Sequence, residues 1–442
     1  MKKNNISLLV LLKVILEQLK ANNYNYAIIH NSESLEDAIK GDIDLAFDAN
    51  PIKVVYPALL RLQNEYCFRI AQCLHYDIPH GYYFIIEYNG EYLHLDCLND
   101  PEGISRYHLS TQYLLNNLDT NTEFNSVNRN TEYIYSLIKR SLKGNPTPLH
   151  VERLHTNYPV DKGTQNIITK WIGHENHTRL KQLDPNNIEE AEALLKACGE
   201  HIQFTYKHKN RIQYYYGLIY SAFRKFKRLI QPTGIFVVLV GPDGCGKSTI
   251  NTESTAALSR AFRKTWSFHW RPGFLPKLGK ATTDSNFSDN TPSQKSKYRG
   301  LVSYVRFIYY WLDFVLGYWI VVYPRKAQST FIIGERYYLD ILVHPERYGF
   351  SCPEWFIKLF GYLIPKPDLT VLLSADPQKI HDRKPELPVK TIDKQIKKYT
   401  SVIKHWGDSN IIDTSKNITD SKNEFVDLVL NKCATRLKRT LK

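Results

Sequence analysis

A run of six apolar residues that ends abruptly in glycines limits the folds open to this chain. Ile235–Val240 is continuously apolar and rich in β-branched residues, which is typical of a strand buried on both faces of a sheet. The glycine-rich loop Gly241–Gly246 follows at once, and Lys247-Ser248-Thr249 comes directly after it. Glycines let backbone amides curl around phosphate oxygens, a lysine adds a mobile positive charge, and a hydroxyl can bind Mg²⁺. The segment therefore predicts a strand, a phosphate-binding loop and a helix whose N-terminus faces the anion.

The loop sequence GPDGCGKST resembles the P-loop of thymidylate kinases, which reads GxDGxGK[ST]. The resemblance implies a P-loop NTPase domain with a three-layer parallel sheet that binds ATP and Mg²⁺. It also implies that the carboxylate of Asp243 meets a hydroxyl of the acceptor, although that residue could simply stabilise the turn. The cofactor-binding residues expected in the loop are Gly241, Asp243, Gly244, Cys245, Gly246, Lys247, Ser248 and Thr249.

A second apolar strand, Thr330–Ile333, ends in a carboxylate followed by an arginine. Thymidylate kinases have Asp-Arg-Tyr or Asp-Arg-Phe here, and this chain has Glu335-Arg336-Tyr337. By this resemblance Glu335 and the Ser248 hydroxyl bind the metal. Arg336 is then catalytic and grips an acceptor phosphate, with Tyr337 and Asp340 on the acceptor side. The alternative for the Glu335-Arg336 pair is a structural ion pair.

Three more basic residues match positions that the resemblance assigns to phosphates. Arg271, in the segment HWRPG, stands where thymidylate kinases have Arg-Glu-Pro-Gly, so it is the acceptor-phosphate candidate; the family's glutamate is missing. Arg383 and Lys384 lie in a basic stretch that resembles a lid over ATP, with Arg383 catalytic and Lys384 cofactor-binding. A plain basic loop is the alternative. Ile411–Ser415 resembles the last strand and the adenine-side loop.

The order of these segments resembles a subgroup of thymidylate-kinase-like proteins often found with surface-polysaccharide genes. The resemblance implies transfer of the ATP γ-phosphoryl to a nucleoside monophosphate, with dTMP the closest precedent, or to another small phosphorylated acceptor. A sugar or lipid-linked intermediate of surface polysaccharide is an alternative acceptor. A further alternative for the function is a bifunctional kinase and nucleotidyltransferase that acts on such an intermediate. A different class also stays open, in which the loop is a nucleotide-controlled switch and transfers nothing.

The N-terminal part contains a second candidate site. Ile28–Ser32, then Asp42-Ile43-Asp44, resembles the nucleotidyltransferase signature hG[GS]…DhD, although Asn31 replaces the first glycine. Alternation places Asp42 and Asp44 on one face of a strand, where two carboxylates need a compensating cation. Asp96, from a later strand, fits the third place, and together they could hold two Mg²⁺ ions. The alternative is an inherited fold whose aspartates cap turns or bind an unrelated anion.

These patterns divide the chain into three parts. Residues 1–125 form an α+β nucleotidyltransferase-like domain, residues 126–232 a helical extension with a basic linker, and residues 233–442 the P-loop domain. The aromatic and basic segment 205–231 predicts either a solvated helix face or a surface that touches anionic lipid or nucleic acid. Strands alternating with helices after residue 233 predict a parallel α/β sheet.

Composition narrows the partners and the compartment. The net charge of +14 favours anionic partners, but nucleic acid is disfavoured because the charge is spread along the chain. The seven cysteines form no CxxC pair, as in a reduced cytoplasmic protein. Charged residues interrupt the apolar segments Ile6–Leu19 and Leu301–Tyr323, so we predict a packed N-terminal helix and a buried or membrane-surface helix. Peripheral membrane contact and a homodimer stay open alternatives.

Overall fold

The computed structural model describes residues 6–29, 39, 41–75, 78–103, 109–119, 124–159, 161–276 and 300–441. The chain is a mixed α/β protein that divides into two compact units, Met1–Phe226 (unit 1) and Lys227–Lys442 (unit 2). The boundary lies six residues before the predicted end of the linker at residue 232.

Unit 1 contains a mixed five-stranded sheet in the order β1-β2-β5-β4-β3, in which only the β2–β5 pair is parallel. The apolar and aromatic residues of this region predict strands at Tyr26–Ile29, Ile43–Phe47, Tyr82–Tyr88 and Tyr92–Cys97, and the structure has a strand at each place; Arg69–His75 was missed. The Asn-Gly pair between the last two strands predicts a hairpin turn, and the positive φ angles of Asn89 and Gly90, 52° and 83°, confirm it. The strands are β1 (Tyr26–Ile28), β2 (Ile43–Phe47), β3 (Arg69–His75), β4 (Gly81–Tyr88) and β5 (Glu91–Leu98).

The helices of unit 1 pack their apolar faces against this sheet and against one another. The N-terminal helix buries Leu11, Leu12, Ile15, Leu16 and Leu19, as the sequence predicted. The helices after residue 126 share one apolar core with the sheet instead of forming a core of their own. The helices are α1 (Leu8–Ala21), α2 (Pro51–Tyr66), α3 (Thr111–Leu115), α4 (Arg129–Lys143), α5 (Pro148–Thr156), α6 (Lys162–Ile172), α7 (His174–Lys181) and α8 (Ile188–Lys209); α9 (Arg211–Ile230) follows and contains the unit boundary.

Unit 2 contains an all-parallel five-stranded sheet in the order β10-β9-β6-β8-β7, as the alternating pattern predicted. The apolar run before the glycine-rich loop is the central strand, and all six of its residues are buried. In its parallel pairing with the next strand, Leu239 is the partner of Glu335, so the loop and this carboxylate leave the same end of the sheet. The strands are β6 (Ile235–Val240), β7 (Lys264–His269), β8 (Thr330–Glu335), β9 (Leu369–Ser374) and β10 (Ser409–Asp413).

The helices of unit 2 complete the α/β arrangement. They are α10 (Lys247–Leu258), α11 (Leu301–Gly317), α12 (Tyr323–Ala327), α13 (Tyr338–Val343), α14 (Glu354–Gly361), α15 (Pro377–Arg383), α16 (Val389–Ile403) and α17 (Ile418–Thr440), with a π-helical turn at Tyr318–Val322 and a 3₁₀ turn at Pro345–Tyr348.

One helical stretch in the described part of the chain, Leu301–Ala327, has the length and composition of a membrane span. Length and composition alone do not separate a span from a core helix. Phe307 and Phe314 lie in the core of unit 2, and Asp313 is fully buried there, whereas Val305 and Trp319 are 63% and 56% exposed. The stretch therefore combines a packed face with an exposed apolar face.

Candidate functional site

The carboxyl ends of β6 and β8 open into a cavity of about 490 Å³. Parallel strands bring their following loops to one edge of the sheet, which is where ligands bind in open α/β folds. The cavity brings together most residues predicted for the C-terminal site. They are Asp243, Gly244, Cys245, Gly246, Lys247, Ser248, Thr249, Glu335, Arg336, Arg383 and Lys384, and Gly241 begins the loop that borders them.

Three glycines of the glycine-rich loop, Gly241, Gly244 and Gly246, have positive φ angles that favour glycine. Gly241 has a φ angle of 145°, and a Cβ there would lie 2.4 Å from the carbonyl oxygen of Leu373. Gly246 has a φ angle of 91° and is the N-cap of α10, so no side-chain oxygen covers the first turn of this helix. The first amides of a helix have no partner within it, and an anion can accept hydrogen bonds from them.

Lys247 folds back over the loop. Its Nζ donates to the carbonyl oxygens of Gly241 at 2.9 Å and Pro242 at 2.8 Å, and it lies 3.7 Å from an oxygen of Asp243. The side chain is only 6% exposed. An ammonium held at the lip of the amide-lined loop is suited to an anion that enters there.

Glu335 ends β8 and is bound to α10. Its Oε2 accepts from Ser248 Oγ at 3.1 Å and its Oε1 from Asn251 Nδ2 at 2.8 Å, and His269 Nδ1 lies 3.8 Å from Oε2. Although burial raises the pKa of this carboxyl, the His269, Asn251 and Ser248 side chains lower it to about 2. Glu335 is therefore ionised at neutral pH, and the hydroxyl and carboxylate oxygens are ligands that Mg²⁺ prefers.

Sequence reasoning missed Asn251 and His269, although both could have been found. Asn251 is three residues after Ser248 on α10, so the two side chains share a face. His269 ends β7 and is the parallel partner of Glu335 on β8. Each of the two was predictable once the strand order and the helix start were known.

Asp243 binds three cationic side chains. Its Oδ1 accepts from Arg336, its Oδ2 lies 2.8 Å from Arg347 Nη1, and Lys247 completes the group. Burial raises the pKa of Asp243, but Arg336, Lys247 and Arg347 together hold it well below its usual range. Sequence reasoning gave Arg347 no role, because its partner Asp243 is distant in the chain.

Asp340 and Tyr337 lie behind this group and not in the cavity. Asp340 is fully buried, lies 3.7 Å from Arg336, and accepts from the hydroxyls of Tyr348 at 2.9 Å and Tyr399 at 2.8 Å. Tyr337 is also fully buried, and its hydroxyl donates to the carbonyl oxygen of Pro365. Both residues were predicted on the acceptor side; here Asp340 supports the position of Arg336, and Tyr337 packs in the core of unit 2.

Arg271 is engaged within the protein. Its Nη1 donates to Asp313 Oδ2 and to the carbonyl oxygen of Leu275, both at 2.7 Å, and Asp313 also accepts from the backbone amides of Gly273 and Leu275. The side chains of Arg271 and Asp313 are 6% and 0% exposed. The pair thus fixes the loop after β7, and the predicted acceptor contact of Arg271 would require this pair to open.

The opposite wall of the cavity comes from the C-terminal segments. Arg383 Nη2 donates to the carbonyl oxygen of Thr414 at 2.9 Å, and Lys384 Nζ lies 3.3 Å from Glu386. The Thr414 hydroxyl donates to the carbonyl oxygen of Cys245 at 3.0 Å, which ties this wall to the glycine-rich loop. Lys416, Ile418 and Ser421 also line the cavity and were not predicted.

Two of the three predicted N-terminal carboxylates, Asp44 and Asp96, lie on neighbouring strands. Asp44 on β2 is the parallel partner of Asp96 on β5, while Asp42 precedes the strand and is 55% exposed. Lys139 from α4 forms an ion pair with Asp44, and the two side chains are 13% and 5% exposed. The ammonium compensates Asp44, so these residues as arranged do not fit the predicted pair of Mg²⁺ ions.

Two further observations bear on that site. In the part of the chain that the structure describes, no group of three or more His, Cys, Asp or Glu side chains is arranged to hold a metal. The predicted residues His30, Asn31 and Ser32 lie outside the described residues.

No protein-family model matches this chain, and no curated protein matches it in sequence.

Proposed function

We propose that unit 2 is an ATP-dependent P-loop phosphotransferase that moves the γ-phosphoryl group to a small acceptor. The observation that carries the proposal is the convergence of Lys247, Ser248 and Glu335 on the glycine-rich loop. An ammonium, a hydroxyl hydrogen-bonded to a carboxylate at 3.1 Å, and the open N-terminus of α10 lie together there. This combination supplies the charge and the ligands that a Mg²⁺-bound triphosphate requires.

The chain's own residues would bind the triphosphate of the proposed ATP. The amides of Gly244 and Gly246 and of the first turn of α10 would donate to phosphate oxygens. Lys247 would exchange its two carbonyl partners for phosphate oxygens, which as charged acceptors make stronger hydrogen bonds. Ile418, which is 48% exposed at the cavity, provides apolar surface on the side where the resemblance expects the adenine.

Ser248 and Glu335 would hold Mg²⁺, and Asn251 orients the carboxylate through its hydrogen bond to Oε1. Two protein oxygens are enough because Mg²⁺ in such sites keeps waters and binds substrate phosphates. When bound, the ion neutralises charge on the phosphoryl groups. Glu335, with a pKa of about 2, stays ionised for this role throughout the neutral range.

The acceptor would lie beside Asp243, Arg336 and Arg347, next to the loop that would hold the γ-phosphate. Arg336 is 4% exposed and is held by Asp340, so its direction is fixed before substrate arrives. Arg383, on the opposite wall, can donate to charge that develops during transfer. A nucleoside monophosphate is the acceptor that the family resemblance favours; a sugar or lipid-linked intermediate is the alternative.

Incubation of the protein with Mg²⁺ and either γ-labelled or α-labelled ATP tests the proposal. The acceptor panel contains dTMP, other nucleoside monophosphates and sugars. Label from the γ position should reach one acceptor class, Lys247→Ala should abolish transfer, and Lys390→Ala, an exposed lysine on α16, should retain it. Arg336→Gln should lose acceptor turnover while ATP affinity stays within about twofold.

Different results would overturn the proposal. ATP affinity that depends on Mg²⁺, without transfer to any acceptor and with no effect of Arg336→Gln, would indicate a nucleotide-controlled switch. Transfer of α-label that persists in Lys247→Ala and disappears in Asp42→Asn would assign the chemistry to the N-terminal site. Absence of any ATP affinity would remove the basis of the proposal.

A further inference from the structure

Helix α9 (Arg211–Ile230) exposes an unusual amount of apolar surface. All of its residues are described, and none of them is buried. Seven apolar or aromatic side chains, each 47–83% exposed, recur at the spacing that places them on one face of a helix. This set, called the apolar stripe, consists of Ile212, Tyr215, Tyr216, Ile219, Phe223, Phe226 and Ile230.

Outside the stripe, α9 carries basic residues together with two exposed leucines, Leu218 and Leu229. The helix carries Arg211, Arg224, Lys225, Lys227 and Arg228, while no aspartate or glutamate occurs from residue 201 to residue 242. Lys225 and Lys227 are exposed, and Lys227 comes four residues after Phe223 of the apolar stripe, which places the two side chains next to each other on the helix. The helix thus places positive charge beside an apolar face.

Tyr220 attaches the helix to unit 1 without covering the stripe. Its hydroxyl hydrogen-bonds His75 Nε2 of β3 at 2.9 Å, and the two rings pack edge to face with centroids 5.9 Å apart. Tyr220 also stacks on Tyr216, the residue at the border of the stripe. Tyr220 therefore holds the helix from outside the apolar stripe, and the stripe residues Ile219 and Phe223 stay 70% and 58% exposed.

We propose that α9 lies in the plane of an anionic lipid bilayer surface, with the apolar stripe inserted among the acyl chains and the basic side chains at the headgroups. A helix with an apolar face and a polar face rich in lysine and arginine is the arrangement that binds at this depth. The absence of acidic residues from this segment complements the negative surface of such a membrane.

Two other partners explain less of the helix. Nucleic acid would use the basic side chains but would leave exposed aliphatic residues such as Ile212 and Ile230 without a role. A second copy of the chain could cover the stripe, but it would bring together two α9 helices that each contain five basic residues and no acidic residue. Lipid with acidic headgroups provides acyl chains for the apolar stripe and negative charge for the basic residues of α9.

Flotation of the full-length protein with vesicles tests the proposal. Vesicles of phosphatidylcholine alone are compared with vesicles in which about one third of the lipid is phosphatidylserine. The protein should float with the anionic vesicles, and Lys225→Glu/Lys227→Glu should lower the partition coefficient at least tenfold, since each cation near the surface contributes about fivefold. Ile219→Asp/Phe223→Asp should lower it at least as much, because charge is placed in the acyl region.

Matched controls separate the stripe from general surface effects. Phe204→Asp and Lys196→Glu change exposed residues of the same kinds on α8 and should leave flotation unchanged. A tryptophan introduced as Phe223→Trp should shift its emission to the blue with vesicles and be quenched by brominated acyl chains. Circular dichroism of each variant establishes that the fold is intact. None of these measurements uses catalytic activity, so the test is independent of the proposed phosphotransfer.

Three outcomes would overturn the proposal. The first is flotation that is equal for neutral and anionic vesicles, or absent with both. The second is a dimer in light scattering that Ile219→Asp/Phe223→Asp converts to monomer. The third is binding of a single-stranded oligonucleotide that the basic variants lose while the stripe variants keep it.

Discussion

Arg347 Nη1 lies 2.8 Å from Asp243 Oδ2, so the carboxylate of the glycine-rich loop is bound by a guanidinium from the turn after α13. Arg336 binds the other oxygen of the same carboxylate. The two arginines differ in freedom, since Arg336 is 4% exposed and Arg347 is 31% exposed. Arg336 is thus held in position by Asp340, while Arg347 is able to turn toward an anionic group that arrives from solvent.

The first prediction concerns Arg347→Gln. If the proposed phosphotransfer is correct, this variant should lower kcat/KM for the acceptor about ten- to hundredfold, the range for one hydrogen bond to a charged group. ATP affinity should stay within about twofold, because Lys247 and the loop amides are intact. Steady-state kinetics with the best acceptor and calorimetry with ATP measure the two effects.

Arg347→Lys and Lys390→Gln are the controls for that prediction. The first keeps the charge and should recover part of the lost turnover, although an ammonium cannot reproduce the geometry of a guanidinium. The second removes an exposed charge elsewhere in unit 2 and should have no effect. An Arg347→Gln variant with unchanged acceptor kinetics would restrict Arg347 to a structural contact with Asp243.

The second prediction concerns the stability contributed by Glu335. The pKa of Glu335 is lowered from 4.5 to about 2, so its ionised form stabilises the fold by roughly 3 kcal/mol above pH 4.5. That contribution is lost as the pH falls from 4.5 toward 2. The difference in unfolding free energy between wild type and Glu335→Gln should therefore be largest near neutral pH and should shrink in acid. Urea unfolding at several pH values measures it; a difference independent of pH would contradict the assignment.

Local patterns account for the parts of the fold that the sequence predicted. The bounds of β6 and β2 agree with the predicted strands, because a continuous apolar run or a short alternating one specifies a strand without distant information. The glycines and Lys247-Ser248 define a loop and a helix start by their own conformational preferences. By contrast, β3 was missed, since Arg69 and His75 stand at its two ends and Gln72 interrupts its apolar residues.

Pairs that are distant along the chain account for what the sequence could not predict. Lys139 forms an ion pair with Asp44, and Asp313 with Arg271, and each pair depends on which helix packs against which strand or loop. No motif spacing encodes those contacts, because the lysine and the aspartate belong to elements that meet only in the folded chain. The same reason explains why Tyr337 and Asp340, adjacent to Arg336 in sequence, lie behind it and not beside it in the cavity.

The third prediction distinguishes the two roles open to Arg271. Because its partner Asp313 is fully buried, Arg271→Met should lower the free energy of unfolding by about 3–5 kcal/mol, the cost of a buried charge left without a partner. Arg271→Met/Asp313→Leu should recover most of that loss, since no charge then stays buried. Chemical denaturation of the three proteins measures this. A stable Arg271→Met variant with lost acceptor turnover would instead favour direct contact with the acceptor.

The fourth prediction concerns the ion pair that Lys139 forms with Asp44 in unit 1. Lys139→Met should lower the free energy of unfolding by about 3–5 kcal/mol, because Asp44 is 5% exposed and would lose its cation. Asp44→Asn in the same chain should restore most of it, as a double-mutant cycle detects. Mn²⁺ should stabilise Lys139→Met but not Lys139→Met/Asp44→Asn, since the freed carboxylates can then take a cation. The opposite result would be Mn²⁺ binding by the wild-type protein that Asp44→Asn abolishes. It would mean that the Lys139 ammonium does not exclude a metal ion from Asp44.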